Sequence, residues 1–107
     1  MRQVEFRRLL DEFNALRVWF EIDHGLVISF VVQLECIFVG RARWTPVVRY
    51  DTAHGFAHRD EMHPAGKAVK TAMATVSYSE ALQQAMDDLT ENWLVYRRRY
   101  ERWIAME

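Results

Sequence analysis

The densest chemistry in the chain lies between Val48 and His63, a run that gathers three of the four histidines with two arginines and two aspartates. Imidazole is the side chain whose ordinary pKa lies nearest neutrality, so His54, His58 and His63 are suited to proton transfer in general acid–base catalysis. Arg49 and Arg59 carry forked donors that match the oxygens of a phosphate. In an extended segment alternate residues share a face, which sets His58 beside Asp60 and sends Arg59 and Glu61 the other way. An aspartate next to an imidazole fixes its tautomer and orientation, so His58 and Asp60 read as a base with its orienting partner. Whether Asp51 and His54 fold back onto that pair depends on the loop between them.

Two other readings of the same residues stand beside this one. In the first, Asp51 and Thr52 cap a turn, Gly55 supplies a positive φ, and the histidines and arginines make local hydrogen bonds. In the second, His54, His58, Asp60 and His63 hold a metal ion, as in a metal-dependent hydrolase. The His-x₃-His spacing aligns two ligands only on a helix, and Gly55 with the strand-like alternation argues against a helix here. Acid–base chemistry without a metal or other cofactor is therefore the expected use of the segment.

A second cationic stretch runs from Trp93 to Trp103, where Arg97, Arg98, Arg99 and Arg102 alternate with aromatic residues. Such a surface can grip a nucleic-acid backbone and stack on bases. The plainer reading is a core stripe of Trp93, Tyr96 and Tyr100 with a solvated basic end that complements the helix dipole. Lys67 and Lys70 would extend a basic rim beside the histidine segment, Lys67 being counted among substrate-binding residues, or serve only as solubilising charges.

The elements that must position these residues follow from periodicity. Residues 4 to 16 place Phe6, Leu9, Leu10, Phe13 and Leu16 at helical spacing, which predicts an N-terminal helix. His24-Gly25 then offers a tight turn between strands over 17–23 and 26–39. The second of these puts Leu26, Ile28, Phe30, Val32, Leu34, Cys36 and Phe38 on one face. A third strand over 44–51 groups Trp44, Val48 and Tyr50, with Pro46 marking an edge or a bulge. Strands over 57–63 and 67–72 complete a meander of about five. Ser77 and Glu80 form a capping box, and the stripe Leu82, Ala85, Met86, Leu89, Trp93, Tyr96, Tyr100 and Ile104 predicts a long C-terminal helix. The fold class is thus α+β, an antiparallel meander flanked by two helices, in a single domain over residues 1–107.

Composition narrows the partners. With 14 basic against 15 acidic side chains the formal charge is −1, so no global field draws the chain to a polyanion and any nucleic-acid surface is local. The single cysteine, Cys36, excludes an internal disulfide and a paired-thiol site and reads as a small buried hydrophobe. The N-terminal residues mix charge with apolar groups, unlike a signal peptide, and no apolar run is long enough to span a bilayer, so a cytoplasmic location is expected.

The element Arg49-Tyr50-Asp51-Thr52-Ala53-His54-Gly55, followed by His58-Arg59, resembles that of small prokaryotic domains related to the TumE-like toxins of toxin–antitoxin systems. The resemblance covers about fifteen residues and the general order of a meander before a long helix. It implies a growth-inhibiting toxin acting on RNA or translation, held in check by a cognate antitoxin protein, and points to Arg49, Asp51, His54, His58 and Arg59. The acidic run after His58 departs from what a phosphate-cleaving site would carry. The expected function is a metal-independent ribonuclease with His58 as base, His54 as acid and Arg49 or Arg59 stabilising phosphate charge. The alternative is a non-enzymatic interaction module, a homodimer or complex subunit in which the histidine loop is structural and surplus aromatic surface drives association.

Overall fold

A computed structural model describes residues 1–75 and 77–107. Six antiparallel strands follow one another in both sequence and space: β1 (Arg2–Asp11), β2 (Asn14–Asp23), β3 (Leu26–Cys36), β4 (Thr45–Asp51), β5 (His58–Met62) and β6 (Ala68–Ala72). A single 28-residue helix, α1 (Tyr78–Ala105), closes the chain and lies across β3 and β4. At a rise of about 1.5 Å per residue it is roughly 42 Å long, and it sets the long dimension of a body 46 Å in its greatest extent.

The expected N-terminal helix is absent, and its residues form the first hairpin. Phe6, Leu9, Leu10, Phe13 and Leu16 satisfy helical spacing, yet Val4, Phe6 and Leu10, the half-buried residues of β1, equally satisfy an alternation of two. The choice is made at residues 11–14. Asp11 accepts hydrogen bonds from the Phe13 N–H and the Asn14 amide, both at 2.8 Å, and so turns the chain back on itself. These bonds also hold the Asp11 carboxyl below the usual carboxylate range, the Phe13 N–H contributing most. With β2 beginning at Asn14, the strand expected from Arg17 has an outer neighbour, and the meander gains a sixth strand.

The second hairpin is as expected. His24 and Gly25 both take positive φ, 50° and 77°, the backbone of a type I′ turn whose twist matches the flanking strands. Pro46 stands next to a bulge, not at an edge: Leu34 pairs with Val48 and Glu35 with Pro46, leaving Val47 as the extra residue of a strand bonded on both sides. The bulge reverses the alternation, so Trp44 departs from the Val48 and Tyr50 face and lies under the Arg7 guanidinium, 4.9 Å away.

One face of the sheet is apolar. Rows of paired residues cross it, such as Phe6, Val18, Val32 and Tyr50, or Leu16, Leu34 and Val48. Against them α1 buries Ala81, Leu82, Ala85, Leu89, Tyr96 and Tyr100, with Met86, Trp93 and Ile104 half-buried, which is the expected stripe. Each fully buried Leu or Val adds about 1.5–3 kcal/mol, so this layer is the core. Cys36 sits within it, and burial pushes its thiol up to about 12. Arg97 clasps the helix to the sheet end through the Asn14 side chain at 2.7 Å and the Ile37 carbonyl at 2.9 Å, and Arg99 pairs with Glu61. Half of the cationic stretch is therefore spent on packing. Among the described residues no helix is long and apolar enough to cross a membrane.

The Ser77 hydroxyl accepts from the Glu80 N–H at 3.1 Å and starts α1. Ser77→Ala is expected to lower stability by about 1 kcal/mol, read as a fall in Tm with an unchanged circular-dichroism spectrum.

Candidate functional site

Among the described residues no helix lies on the second face of the sheet, and polar residues line it in register. One row runs Arg7, Arg17, Gln33, Arg49, Asp60, Lys70 from β1 to β6; the next runs Glu5, Trp19, Val31, Asp51, His58, Ala72. The Arg-Tyr-Asp element is split by its own alternation. Arg49 and Asp51 stand on this open face, while Tyr50 points into the helix layer and donates to Asp88 on α1 at 2.7 Å.

His58 is the centre of the cluster. Its Nε2 lies 2.9 Å from Asp51 Oδ1 and 3.6 Å from Asp60 Oδ2, and its Nδ1 lies 3.2 Å from the Phe56 carbonyl oxygen. Both ring nitrogens thus face oxygen acceptors, a backbone carbonyl on one side and carboxylates on the other. The ring is 1% exposed, sealed by the turn above it, with Phe56 at 5.1 Å and His54 at 6.5 Å between ring centres. Asp51 also accepts from the Ala53 N–H at 3.0 Å, and the Thr52 hydroxyl accepts from the Phe30 N–H at 3.1 Å. The turn, a short 3₁₀ segment over Ala53–Gly55, is thus pinned at its base, and His54 is held exposed on it with φ at 69°.

The sequence places His58 with Asp60, and the structure adds Asp51, which faces His58 directly across β4 and β5. Arg59 is elsewhere. It lies on the helix side and donates to the Tyr96 hydroxyl at 3.1 Å. His63 is also apart: its Nδ1 accepts from the Ala65 N–H, and its ring packs on Trp103 at 4.6 Å. The four-residue metal set of His54, His58, Asp60 and His63 is accordingly not assembled. The donor group that is assembled among the described residues is Asp51, His58 and Asp60, with ligand atoms within 4.8 Å of one another. A cation there would displace the contacts of Nε2 with the two carboxylates. Lys70, 3.4 Å from Asp60 Oδ1, already supplies positive charge, although that oxygen has no hydrogen bond. Lys67 is exposed, ahead of β6.

A family model described as a domain of unknown function (DUF7718) matches residues 1–106. The chain belongs to this family. No curated protein and no solved structure matches it. The DUF7718 match spans all six strands and α1, so the hairpin that replaces the expected helix lies within the family's own extent.

Other residues of this DUF7718 chain enter the site without having been singled out from the sequence. Arg49 Nε donates to Gln33 Oε1 at 2.8 Å, Gln33 Nε2 donates to Glu35 at 3.1 Å, and Glu35 accepts from Arg7 at 2.9 Å. Gln33 and Glu35 are buried, so the chain of bonds satisfies polar groups that would otherwise be costly. It also fixes Arg49 by one nitrogen. Among the described residues the two Nη groups of Arg49 have no hydrogen-bond partner and no carboxylate partner. A hint was present in the sequence: Gln33 and Glu35 stand on the polar side of an otherwise apolar strand.

Proposed function

We propose that this domain is a toxin-like ribonuclease that cleaves single-stranded RNA by acid–base chemistry without a metal, under the control of a cognate antitoxin in the cytoplasm. The observation that carries the reading is the gathering of Arg49, the exposed His54 and the Asp51–His58–Asp60 cluster at one end of the open sheet face. Cleavage of this kind joins the ribose 2′-oxygen to phosphorus and breaks the bond from phosphorus to the 5′-oxygen. A base removes the hydroxyl proton, an acid returns one to the leaving oxygen, and a cation balances charge on the phosphate.

Burial divides these tasks. His58 has both nitrogens engaged and is sealed from solvent, so it supports the turn, and His54 is the histidine free to exchange a proton with RNA, taking it from the 2′-hydroxyl and returning it to the leaving 5′-oxygen. The free Nη groups of Arg49 suit the phosphate. The test is cleavage of a labelled single-stranded RNA in the presence of a chelator. His54→Ala is expected to slow it by roughly 10²-fold or more, with the melting temperature retained. Equal cleavage by that variant would remove the assignment, and cleavage only after a divalent ion is added would move the chemistry to Asp51, His58 and Asp60.

A second reading, a non-enzymatic interaction module or homodimer, is favoured by the far end of the molecule. There Val39 is 98% exposed and Phe13 48% exposed, beside a shallow groove that Ile37 and Phe38 also line. Large exposed apolar groups brought together mark a contact surface. Light scattering decides on self-association: a strict monomer at high concentration would count against the homodimer.

A further inference from the structure

We propose that the cleft on the open face between β1 and β4 is a nucleotide subsite that stacks a base on Trp19 and holds a phosphate between Arg17 and Arg49. The proposal rests on the ribonuclease reading and specifies where a neighbouring nucleotide of the substrate would sit. The cleft has a volume of about 280 Å³ and is lined by Glu5, Arg17, Trp19, Val31, Gln33 and Arg49. It is near the small end of ligand pockets, the scale of one nucleotide and not of a duplex.

Charge accounting singles it out. On this face Arg7 is paired with Glu35 and Lys70 with Asp60. Arg49 keeps two free Nη groups. Arg17 has only a 3.6 Å pair with Glu5, in which both side chains are more than half exposed, and such a pair contributes little. The cleft lining itself sets two guanidinium groups, Arg17 and Arg49, against one carboxylate, Glu5, so its excess is local and about the size that one phosphate ester neutralises. A chain of net charge −1 has no broad basic field to offer, but it can offer such a point.

Trp19 supplies the second half of the argument. It lies in the same row as His58, with Val31 and Asp51 between them. It is half-buried on a face where aromatic bulk has no core to fill. An indole set among guanidinium groups is a platform for the flat face of a base, and stacking tolerates any of the four bases. Gln33 is held rigid at the floor of the cleft by its bonds to Arg49 and Glu35, so the phosphate-binding side is preorganised. Three strand spacings of about 4.8 Å separate Trp19 from His58, roughly 14 Å, so the seated nucleotide is the neighbour of the one whose 2′-hydroxyl reacts at His54, and the phosphate at Arg49 is the one that joins the two.

The experiment is a titration of the full chain with each of the four ribonucleoside 5′-monophosphates and with inorganic phosphate, followed by tryptophan fluorescence and by NMR shifts of backbone and indole N–H groups. At least one nucleotide is expected to saturate with shifts centred on Trp19, Val31 and Gln33, and Trp19→Ala and Arg49→Gln are each expected to weaken it by about tenfold. Trp19→Phe keeps a ring and is expected to keep most of the binding, which guards against a folding defect in the alanine variant. Saturation by no nucleotide, shifts centred elsewhere, or phosphate binding as tightly as every nucleotide would overturn the subsite. The two readings fail separately. RNA cleavage that is unchanged in Trp19→Ala, with no nucleotide bound, removes the subsite and keeps the ribonuclease; a nucleotide bound in the cleft of a chain that cuts no RNA does the reverse.

Discussion

His58→Ala is expected to destabilise the domain by about 3–5 kcal/mol, a large part of the 5–15 kcal/mol that holds a typical domain together. The imidazole is 1% exposed and lies between two carboxylates, Asp51 at 2.9 Å and Asp60 at 3.6 Å. Its removal leaves both acids facing a cavity, with Lys70 alone to balance them from a half-exposed position. It also frees the Phe56 carbonyl, and with it the turn that carries His54. Loss of RNA cleavage in this variant would thus report a collapsed turn and not a missing base.

Two controls separate these effects. Asp51→Asn in the His58→Ala background removes one stranded charge and keeps an oxygen for the Ala53 N–H, so the double variant is expected to be more stable than the single one. Urea unfolding with an unchanged m-value measures both. A loss below about 1 kcal/mol in His58→Ala would mean that water screens the cluster and that His58 is free for chemistry after all.

How far the sequence disclosed this arrangement depends on whether local alternation or long-range pairing decided each element. The long helix was legible because its stripe persists for many turns and Ser77 marks its start. The His24-Gly25 hairpin was legible because the turn carries its own conformational requirement. Residues 4–16 were ambiguous, since Phe6, Leu10 and Leu16 fit both periods, and only the Asp11 turn and the unpaired edge of β2 resolve them. At the site, alternation correctly separated His58 and Asp60 from Arg59 and Glu61. It could not reveal that Asp51 faces His58, because that depends on the register between two strands. Nor could it mark Arg17, Trp19 and Gln33, whose neighbours on the open face come from other strands. The bulge at Val47 is the same lesson in a single residue: it reverses a face, and nothing local but Pro46 announces it.

Asp88→Ala is the second large expected effect, about 2–4 kcal/mol, because one carboxylate oxygen holds two buried hydroxyls. Tyr50 and Tyr96 both donate to Asp88 Oδ2 at 2.7 Å, and Arg59 donates to the Tyr96 hydroxyl at 3.1 Å, so a single acid on α1 ties the helix to β4 and β5. Without it two phenols at 6% and 7% exposure lose their acceptor. Burial, followed by the hydrogen bond to Asp88, raises Tyr96 from 10.0 to about 12 and raises Tyr50 still further. A folded-state pKa above the unfolded one means that the unfolded chain ionises first as pH rises. The stability contributed by these phenols is therefore complete below pH 10.0 and is lost as pH climbs through about 12. Burial remains in Asp88→Ala but the acceptor does not, so the variant is expected to start lower and to fall less steeply over that window. Urea midpoints of the wild-type and variant chains across the window measure both slopes. Parallel curves would show that Asp88 does not set the ionisation of the two tyrosines, and a variant as stable as wild type at neutral pH would show that water, and not the carboxylate, satisfies them.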